Sequence, residues 1–178
     1  LKANDPDRCD PPGMDGPRHL CFHPELPVVY VSNEQGCSVG VYDLDTDRGT
    51  LTHRTTLSTL PEGWHGDNKC SQIRITPNGR HLYAPNRGHD SIAMFTVDTE
   101  TGNLSAIGHA AAEAKPRAFQ IDPAGRFLLS AGHESGRLAV YSIEDHTGQL
   151  ERIGTHPLGA LPMWITILPA AATAGTMQ

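Results

Sequence analysis

Two arginines occupy equivalent positions in two similar stretches of this 178-residue chain, and together they could bind an anion. Arg18 and Arg117 each follow a proline, and each opens a short run in which apolar and polar residues alternate. A guanidinium group binds phosphate or carboxylate through two parallel hydrogen bonds. If the two runs lie side by side, both arginines reach the same anion.

Three further residues could carry out acid–base or electrostatic chemistry beside such an anion. His19 follows Arg18 directly, Glu34 lies in a Ser-Asn-Glu string, and Arg87 lies in an Asn-Arg-Gly-His string. Imidazole and carboxylate groups are common general acids and bases, and a turn has no conformational need for arginine. The candidate catalytic residues are therefore His19, Glu34 and Arg87, and the candidate substrate-binding residues are Arg18, Arg117, Asn86 and His89.

Neither the histidines nor the cysteines show the spacing of a metal site. The ten histidines form no His-Glu-x-x-His motif, and the four cysteines, at positions 9, 21, 37 and 70, form no Cys-x-x-Cys pair. We therefore expect no metal and no other cofactor. We expect the cysteines to be free thiols, which favours a cytoplasmic location.

The elements that must position these residues are short strands. Residues 70–107 contain runs of alternating apolar residues, separated by Thr-Pro-Asn-Gly, Asn-Arg-Gly-His and Asp-Thr-Glu-Thr-Gly turn signals. This pattern predicts four antiparallel strands joined by hairpins. Antiparallel order puts the polar strings named above on one face, whereas the turns on the opposite face carry ordinary hairpin residues.

The four-strand unit recurs upstream over residues 16–57 and downstream over residues 115–154. The proline that closes each first strand recurs at intervals of 53, 46 and 46 residues, at Pro24, Pro77, Pro123 and Pro169. A period in the forties with four strands per repeat is typical of β-propeller blades. First strands line the channel of a propeller, so Arg18 and Arg117 are expected near a common axis.

We therefore predict an all-β, partial β-propeller over residues 16–169. Its blades are expected at 16–60, 68–113 and 115–159, with a final inner strand at 163–168, an N-terminal loop at 1–15 and a disordered tail at 170–178. Because rings have about four to eight blades, we expect this chain to be the C-terminal half of a longer protein. Its partners would then include the N-terminal blades of the same chain. A self-contained open array or a barrel of 13 strands is the alternative.

Composition argues against two classes of partner. The net charge is −6 and there is no basic run, so nucleic acid is not expected. No stretch approaches the 18 or so apolar residues of a membrane span, so no membrane partner is expected.

Several strings resemble the lactonase-type seven-bladed β-propellers, a family that includes the propeller-class 6-phosphogluconolactonases and fungal-type carboxymuconate lactonizing enzymes. The strings are GPRHLCFHP, SNE, QIRITPNGRHLYAPNRGHDSIAMFTVD and KPRAFQIDPAGRFLL, and NRGHDSI is the most specific part. The resemblance implies that His19, Glu34 and Arg87 lie in the family's active-site cleft, supported by Arg18 and Arg117. Gln72, where glutamate is frequent, and Gly132, where asparagine is usual, depart from the family pattern.

The resemblance implies metal-independent hydrolysis of a small anionic lactone, 6-phosphogluconolactone, to 6-phosphogluconate in the pentose phosphate pathway. Arg87, with Arg117 or Arg18, would bind the phosphate or polarise the lactone carbonyl, and Glu34, through His19, would remove a proton from water. Two alternatives stay open. One is lactonization of a muconate-like dicarboxylate, and the other is a non-catalytic propeller that binds a ligand or a protein.

Overall fold

The computed structural model describes residues 3–13 and 15–168, which form three four-stranded antiparallel sheets. The first sheet contains β1 (Pro17–Phe22), β2 (Val28–Asn33), β3 (Ser38–Asp45) and β4 (Thr50–Ser58). The second contains β5 (Arg74–Ile75), β6 (His81–Asn86), β7 (Ser91–Val97) and β8 (Leu104–Ala111). The third contains β9 (Pro116–Ile121), β10 (Phe127–Gly132), β11 (Arg137–Ile143) and β12 (Leu150–Pro157). Strands follow one another in chain order within each sheet, which confirms the predicted all-β architecture of four-stranded blades.

A β-bulge recurs at the same place in every sheet. The register between the third and fourth strands shifts after Val41, after Met94 and after Val140. These positions are separated by 53 and 46 residues, the spacing of the first three prolines. A bulge bends and twists a strand locally, so each sheet acquires the same twist at the same point.

The middle sheet packs against both of its neighbours. Leu82 belongs to a core cluster with Tyr30 of the first sheet, whereas the next residue, Tyr83, belongs to a cluster with Phe119 of the third. Side chains alternate across a strand, so one apolar strand supplies both cores. Full burial of each such side chain contributes about 1.5–3 kcal/mol.

Two buried tyrosines also tie each sheet to the next. Tyr30 donates its hydroxyl to the carbonyl of Gly102 at 2.8 Å, and Tyr83 donates to the carbonyl of Gly148 at 2.9 Å. Both acceptors lie in the turn before the fourth strand of the following sheet. The blades are therefore held by directional bonds as well as by apolar packing.

The first strands β1, β5 and β9 lie next to one another at the inner side of the array. β5 is shorter than the apolar run predicts: before it, only an isolated bridge joins Cys70 to Asn86, and the Ser71 N–H donates to the Pro85 carbonyl at 3.2 Å. The side chains of the same stretch bond to the third sheet. Ser71 donates its hydroxyl to the Pro116 carbonyl at 2.9 Å, and the Gln72 amide oxygen accepts the Phe119 N–H at 2.8 Å.

The predicted final strand at 163–168 is absent from this structure. These residues have no strand geometry and, within the part of the chain that is described, no backbone hydrogen bond. A strand needs a hydrogen-bonding neighbour, and none lies beside them; Met163, Trp164 and Leu168 are exposed. The predicted tail, 170–178, lies outside the described residues. In the described ranges no helix is long and apolar enough to cross a membrane.

Candidate functional site

The centre of the candidate site is an ion pair between two blades. Glu34 opens the turn between β2 and β3, and Arg87 opens the equivalent turn between β6 and β7, with the same 53-residue spacing as the first two prolines. Arg87 donates one Nη2 bond to Glu34 Oε1 and another, of 2.9 Å, to the Cys70 carbonyl. The structure thus brings together two of the three predicted catalytic residues.

Arg18 approaches the same carboxylate from the first inner strand. Its Nε lies 3.4 Å from Glu34 Oε2, so two guanidinium groups share one carboxylate and leave a net positive charge. Both arginine side chains are mostly buried, with 20% of Arg18 and 11% of Arg87 exposed. Among the described residues, Arg18 Nη1 and Arg87 Nε are buried N–H groups without an acceptor. Both N–H groups are covered by protein in this structure, so the accessible positive charge belongs to the other atoms of the two guanidinium groups.

Arg117 adds a third positive charge near this group. Burial lowers the pKa of Arg18, Arg87 lowers it further, Glu34 opposes this, and the charge of Arg117 also contributes to the lowering. Arg117 therefore lies within electrostatic reach of Arg18, although the described residues include no hydrogen-bond partner for its side chain. The two proline–arginine pairs contribute to one positive field.

Glu34 is held as a carboxylate. Burial acts to raise the pKa of Glu34, but the hydrogen bond and charge of Arg87, together with Arg18 and Lys69, outweigh it, so the pKa is lowered. A carboxylate stabilised in this way is a weak base. Its better-supported role is to orient the two arginines.

His19 is held in the neutral form. Burial lowers the pKa of His19 and the charges of Arg18 and Arg74 lower it further, against the opposing effect of Glu34. The backbone of His19 is fixed by Ser32, whose hydroxyl donates to the His19 carbonyl at 3.2 Å. A neutral imidazole at physiological pH can accept a proton from water.

Asn86, a predicted substrate-binding residue, has its side chain inside the protein and not in an open cleft. Its side chain is fully buried, donating 2.6 Å to the Thr59 carbonyl and 3.2 Å to Ser91 Oγ, while its oxygen accepts from Thr59 Oγ1 and Asn68 Nδ2. With every polar atom engaged inside the protein, Asn86 holds the loop before β5 in place. Its location at a strand end made it resemble a site residue.

His89 lies in the same turn as Arg87 but belongs to a different cluster. Its Nδ1 is 2.7 Å from Ser91 Oγ, and its ring meets Trp64 and His109 edge to face, with centroids 4.6 and 5.6 Å apart. These contacts fix the long loop 61–69 against the outer strand β8. The structure does not bring His89 to Glu34.

A cleft of about 540 Å³ adjoins Arg87. Its lining residues include two lysines and one arginine: Asp67, Asn68, Lys69, Arg87, Gly88 and Lys115. Lys69 and Lys115 were not among the candidates, although their 46-residue spacing matches that between Pro77 and Pro123. Equivalent position in adjacent repeats is the signal that could have found them.

Gly88 allows the long loop to form one wall of this cleft. A Cβ at this position would lie only 2.1 Å from the Asp67 carbonyl oxygen, and its φ of +149° disfavours other residues. The loop therefore packs directly on the turn that carries Arg87.

The two departures from the family pattern have structural explanations. Gln72 is buried and its oxygen accepts the Phe119 N–H, a bond that a glutamate oxygen could also make. At Gly132, a Cβ would lie 2.3 Å from Ser135 Oγ and 2.9 Å from the Ala114 carbonyl, so asparagine does not fit.

Within residues 3–13 and 15–168, no three His, Cys, Asp or Glu side chains cluster as metal ligands would.

Comparison with known proteins identifies the family of this chain. The family model "Lactonase, 7-bladed beta-propeller" matches residues 2–167, so the chain belongs to the propeller lactonase family. Proteins named 6-phosphogluconolactonase from Pectobacterium carotovorum and Cronobacter sakazakii are each 40% identical over 104 residues, which are 58% of this chain and 31% of theirs.

Solved structures give the same result. The periplasmic gluconolactonase PpgL of Pseudomonas aeruginosa is 29% identical with a TM-score of 0.84, over 90% of this chain and 45% of that one. A Lactobacillus plantarum protein is 26% identical with a TM-score of 0.81, over 85% and 44% of the two chains. The chain thus spans about a third of the curated relatives and under half of the structural neighbours.

Proposed function

We propose that this protein contributes the active site of a metal-independent lactonase that hydrolyses 6-phosphogluconolactone to 6-phosphogluconate in the cytoplasmic pentose phosphate pathway. The observation that carries the proposal is the pair of guanidinium groups on the single Glu34 carboxylate. Two guanidinium charges against one carboxylate leave a net positive charge, which would stabilise the negative charge that a lactone oxygen gains. The names of the relatives support the substrate class.

In this mechanism, Arg18 and Arg87 polarise the lactone carbonyl and Glu34 keeps them in position. The neutral imidazole of His19 takes a proton from the attacking water, whose oxygen forms a bond to the carbonyl carbon. The tetrahedral oxyanion then collapses, the ring C–O bond breaks, and the leaving alkoxide recovers the proton from His19. The charges of Arg18 and Glu34 both act on the pKa of His19, so its ring lies within electrostatic reach of the ion pair.

The cationic cleft would favour a phosphorylated lactone over a neutral one. Lys69 and Lys115 lie beside Arg87, and ammonium groups bind phosphate as point charges. Lys115 also pairs with Glu134 at 2.6 Å, which holds its ammonium group at the rim. The same cleft would accept a dicarboxylate, so assaying a muconate substrate on the same preparation separates lactonase from lactonizing activity.

Replacing Arg87 by alanine is the direct test. We expect kcat/KM for 6-phosphogluconolactone to fall at least about tenfold, or roughly 1.4 kcal/mol, because a transition-state donor is lost. Arg80→Ala is the matched control, because Arg80 is exposed in the turn between β5 and β6, on the opposite face. Equal kcat/KM for Arg87→Ala and the control, with both variants folded by circular dichroism, would reject the assignment.

A further inference from the structure

Two of the four cysteines meet at the contact between the first two blades. Cys37 ends the turn that Glu34 begins, and Cys70 lies just before β5. The Thr59 hydroxyl bonds to the Cys37 carbonyl at 2.8 Å and lies 3.0 Å from Cys70 Sγ, so one side chain touches both residues. Asn68 Nδ2 donates to Cys37 Sγ at 3.3 Å and to Asn86 Oδ1 at 3.1 Å. The same Asn86 oxygen lies 3.7 Å from Cys70 Sγ.

The two sulfur atoms differ in chemical character. Interaction with the Cys70 thiol, against the effect of burial and with help from Asn68, lowers the pKa of Cys37 to about 6. The same interaction and burial raise the pKa of Cys70. Cys37, which is partly exposed, is therefore the more readily ionised of the two, whereas Cys70 is buried. In its thiol form Cys37 donates to the Asn68 carbonyl at 3.3 Å.

We propose that Cys37 and Cys70 are a peroxide-reactive dithiol that closes to a disulfide between the two blades. The Cys37 sulfur attacks hydrogen peroxide, the O–O bond breaks, and Cys37 becomes a sulfenic acid with release of one water. The Cys70 sulfur then attacks the Cys37 sulfur, the S–O bond breaks, and a second water leaves. Two thiols lose two electrons and two protons in total, and the peroxide is reduced.

This dithiol is linked to the candidate site through the backbone. The Cys70 N–H donates to the Glu34 carbonyl at 3.1 Å, and the Cys70 carbonyl accepts from Arg87 Nη2 at 2.9 Å. Drawing Cys70 toward Cys37 therefore displaces both partners of the central ion pair. Disulfide formation depends only on the thiols, while its effect on catalysis rests on the proposed function.

The test is oxidation of the folded protein with hydrogen peroxide, followed by peptide mapping without reduction. We expect free thiols to fall from the four in the sequence to two, a mass loss of about 2 Da, and a single Cys37–Cys70 linked peptide. Dithiothreitol should restore all thiols. Cys37→Ser should abolish the linkage, and Cys9→Ser, the control in the N-terminal segment, should leave it unchanged.

Two outcomes would overturn the proposal: no 37–70 linkage in folded wild-type protein, or an equal yield of the linkage after the protein is unfolded before oxidation. Lactonase activity is measured separately before and after oxidation. Absence of activity in the reduced protein counts against the proposed function alone, whereas activity unchanged by a formed disulfide removes the regulatory link.

Discussion

At the residue scale, the environment of His19 gives a prediction about its pKa. The charge of Arg18 lowers that pKa, after burial, so the Arg18→Gln variant should raise it toward the ordinary value of 6.5. The neutral form is the base, so in wild-type protein activity should rise with pH through a pKa below 6.5 and persist at more acidic pH than in the variant. NMR titration of the His19 ring measures this shift directly.

The control for this prediction is Arg126→Gln, which removes an arginine from the turn between β9 and β10 on the opposite face. It should leave the His19 titration unchanged. A His19 pKa that is the same in Arg18→Gln and wild type would show that the charge of Arg18 does not contribute to it.

The side chain of Asn86 forms hydrogen bonds inside the protein, so its removal gives a prediction about stability. Asn86→Ala leaves the Thr59 carbonyl and other buried groups without partners, and we expect it to lower the free energy of unfolding by about 2–4 kcal/mol. Urea titration followed by circular dichroism measures the change. Gln35→Ala, an exposed position in the neighbouring turn, should change it by less than about 0.5 kcal/mol.

How far the sequence predicts the site depends on each side chain's partners. Glu34 and Arg87 occupy equivalent turns, so strand order alone places them on one face of adjacent blades. Asn86 and His89 are in the same string, but the sequence does not show that Thr59 and Trp64, many residues upstream, bind them. Contacts with Thr59 and with the loop 61–69 therefore determine where the side chains of Asn86 and His89 lie.

At the element scale, the tyrosine bonds between sheets should contribute separately. Tyr30→Phe and Tyr83→Phe each leave a glycine carbonyl without its donor, and each should cost about 1–2 kcal/mol of unfolding free energy. The two bonds lie at different interfaces, so the double variant should lose the sum of the two changes. Thermal or urea unfolding of the four proteins completes the cycle. A double variant no less stable than either single variant would contradict independent interfaces.

The elements themselves are largely predictable, since proline spacing and alternating apolar residues locate the three sheets. The bulges at equivalent places are a finding of the structure. Two first strands differ from the prediction. β5 is reduced to two residues, with only an isolated bridge at Cys70 before it, and 163–168 has no strand geometry because no described strand lies beside it. Alternation describes which side chains are apolar, whereas a strand also needs a neighbouring backbone.

At the scale of the whole molecule, apolar exposure is concentrated on the two outer sheets and the segment after β12. Leu20 and Phe22 are half exposed on β1, as are Ile153 on β12 and Trp164 beyond it. Exposed apolar surface of this kind marks contact with other protein. Since the relatives are longer propellers, we propose that further blades of the same chain cover these surfaces.

Because the middle sheet is covered on both faces, we expect it to be the last of the three sheets to unfold locally. Amide hydrogens of β6 and β7 can exchange with solvent only after both neighbouring sheets separate, whereas those of β4 and β12 need only local fraying. Hydrogen–deuterium exchange should therefore be slowest at Leu82–Ala84 and Ile92–Phe95 and fastest at the outer strands. Equal exchange in all three sheets would mean that they open as one unit; the expected gradient means that the protein comes apart from its edges inward.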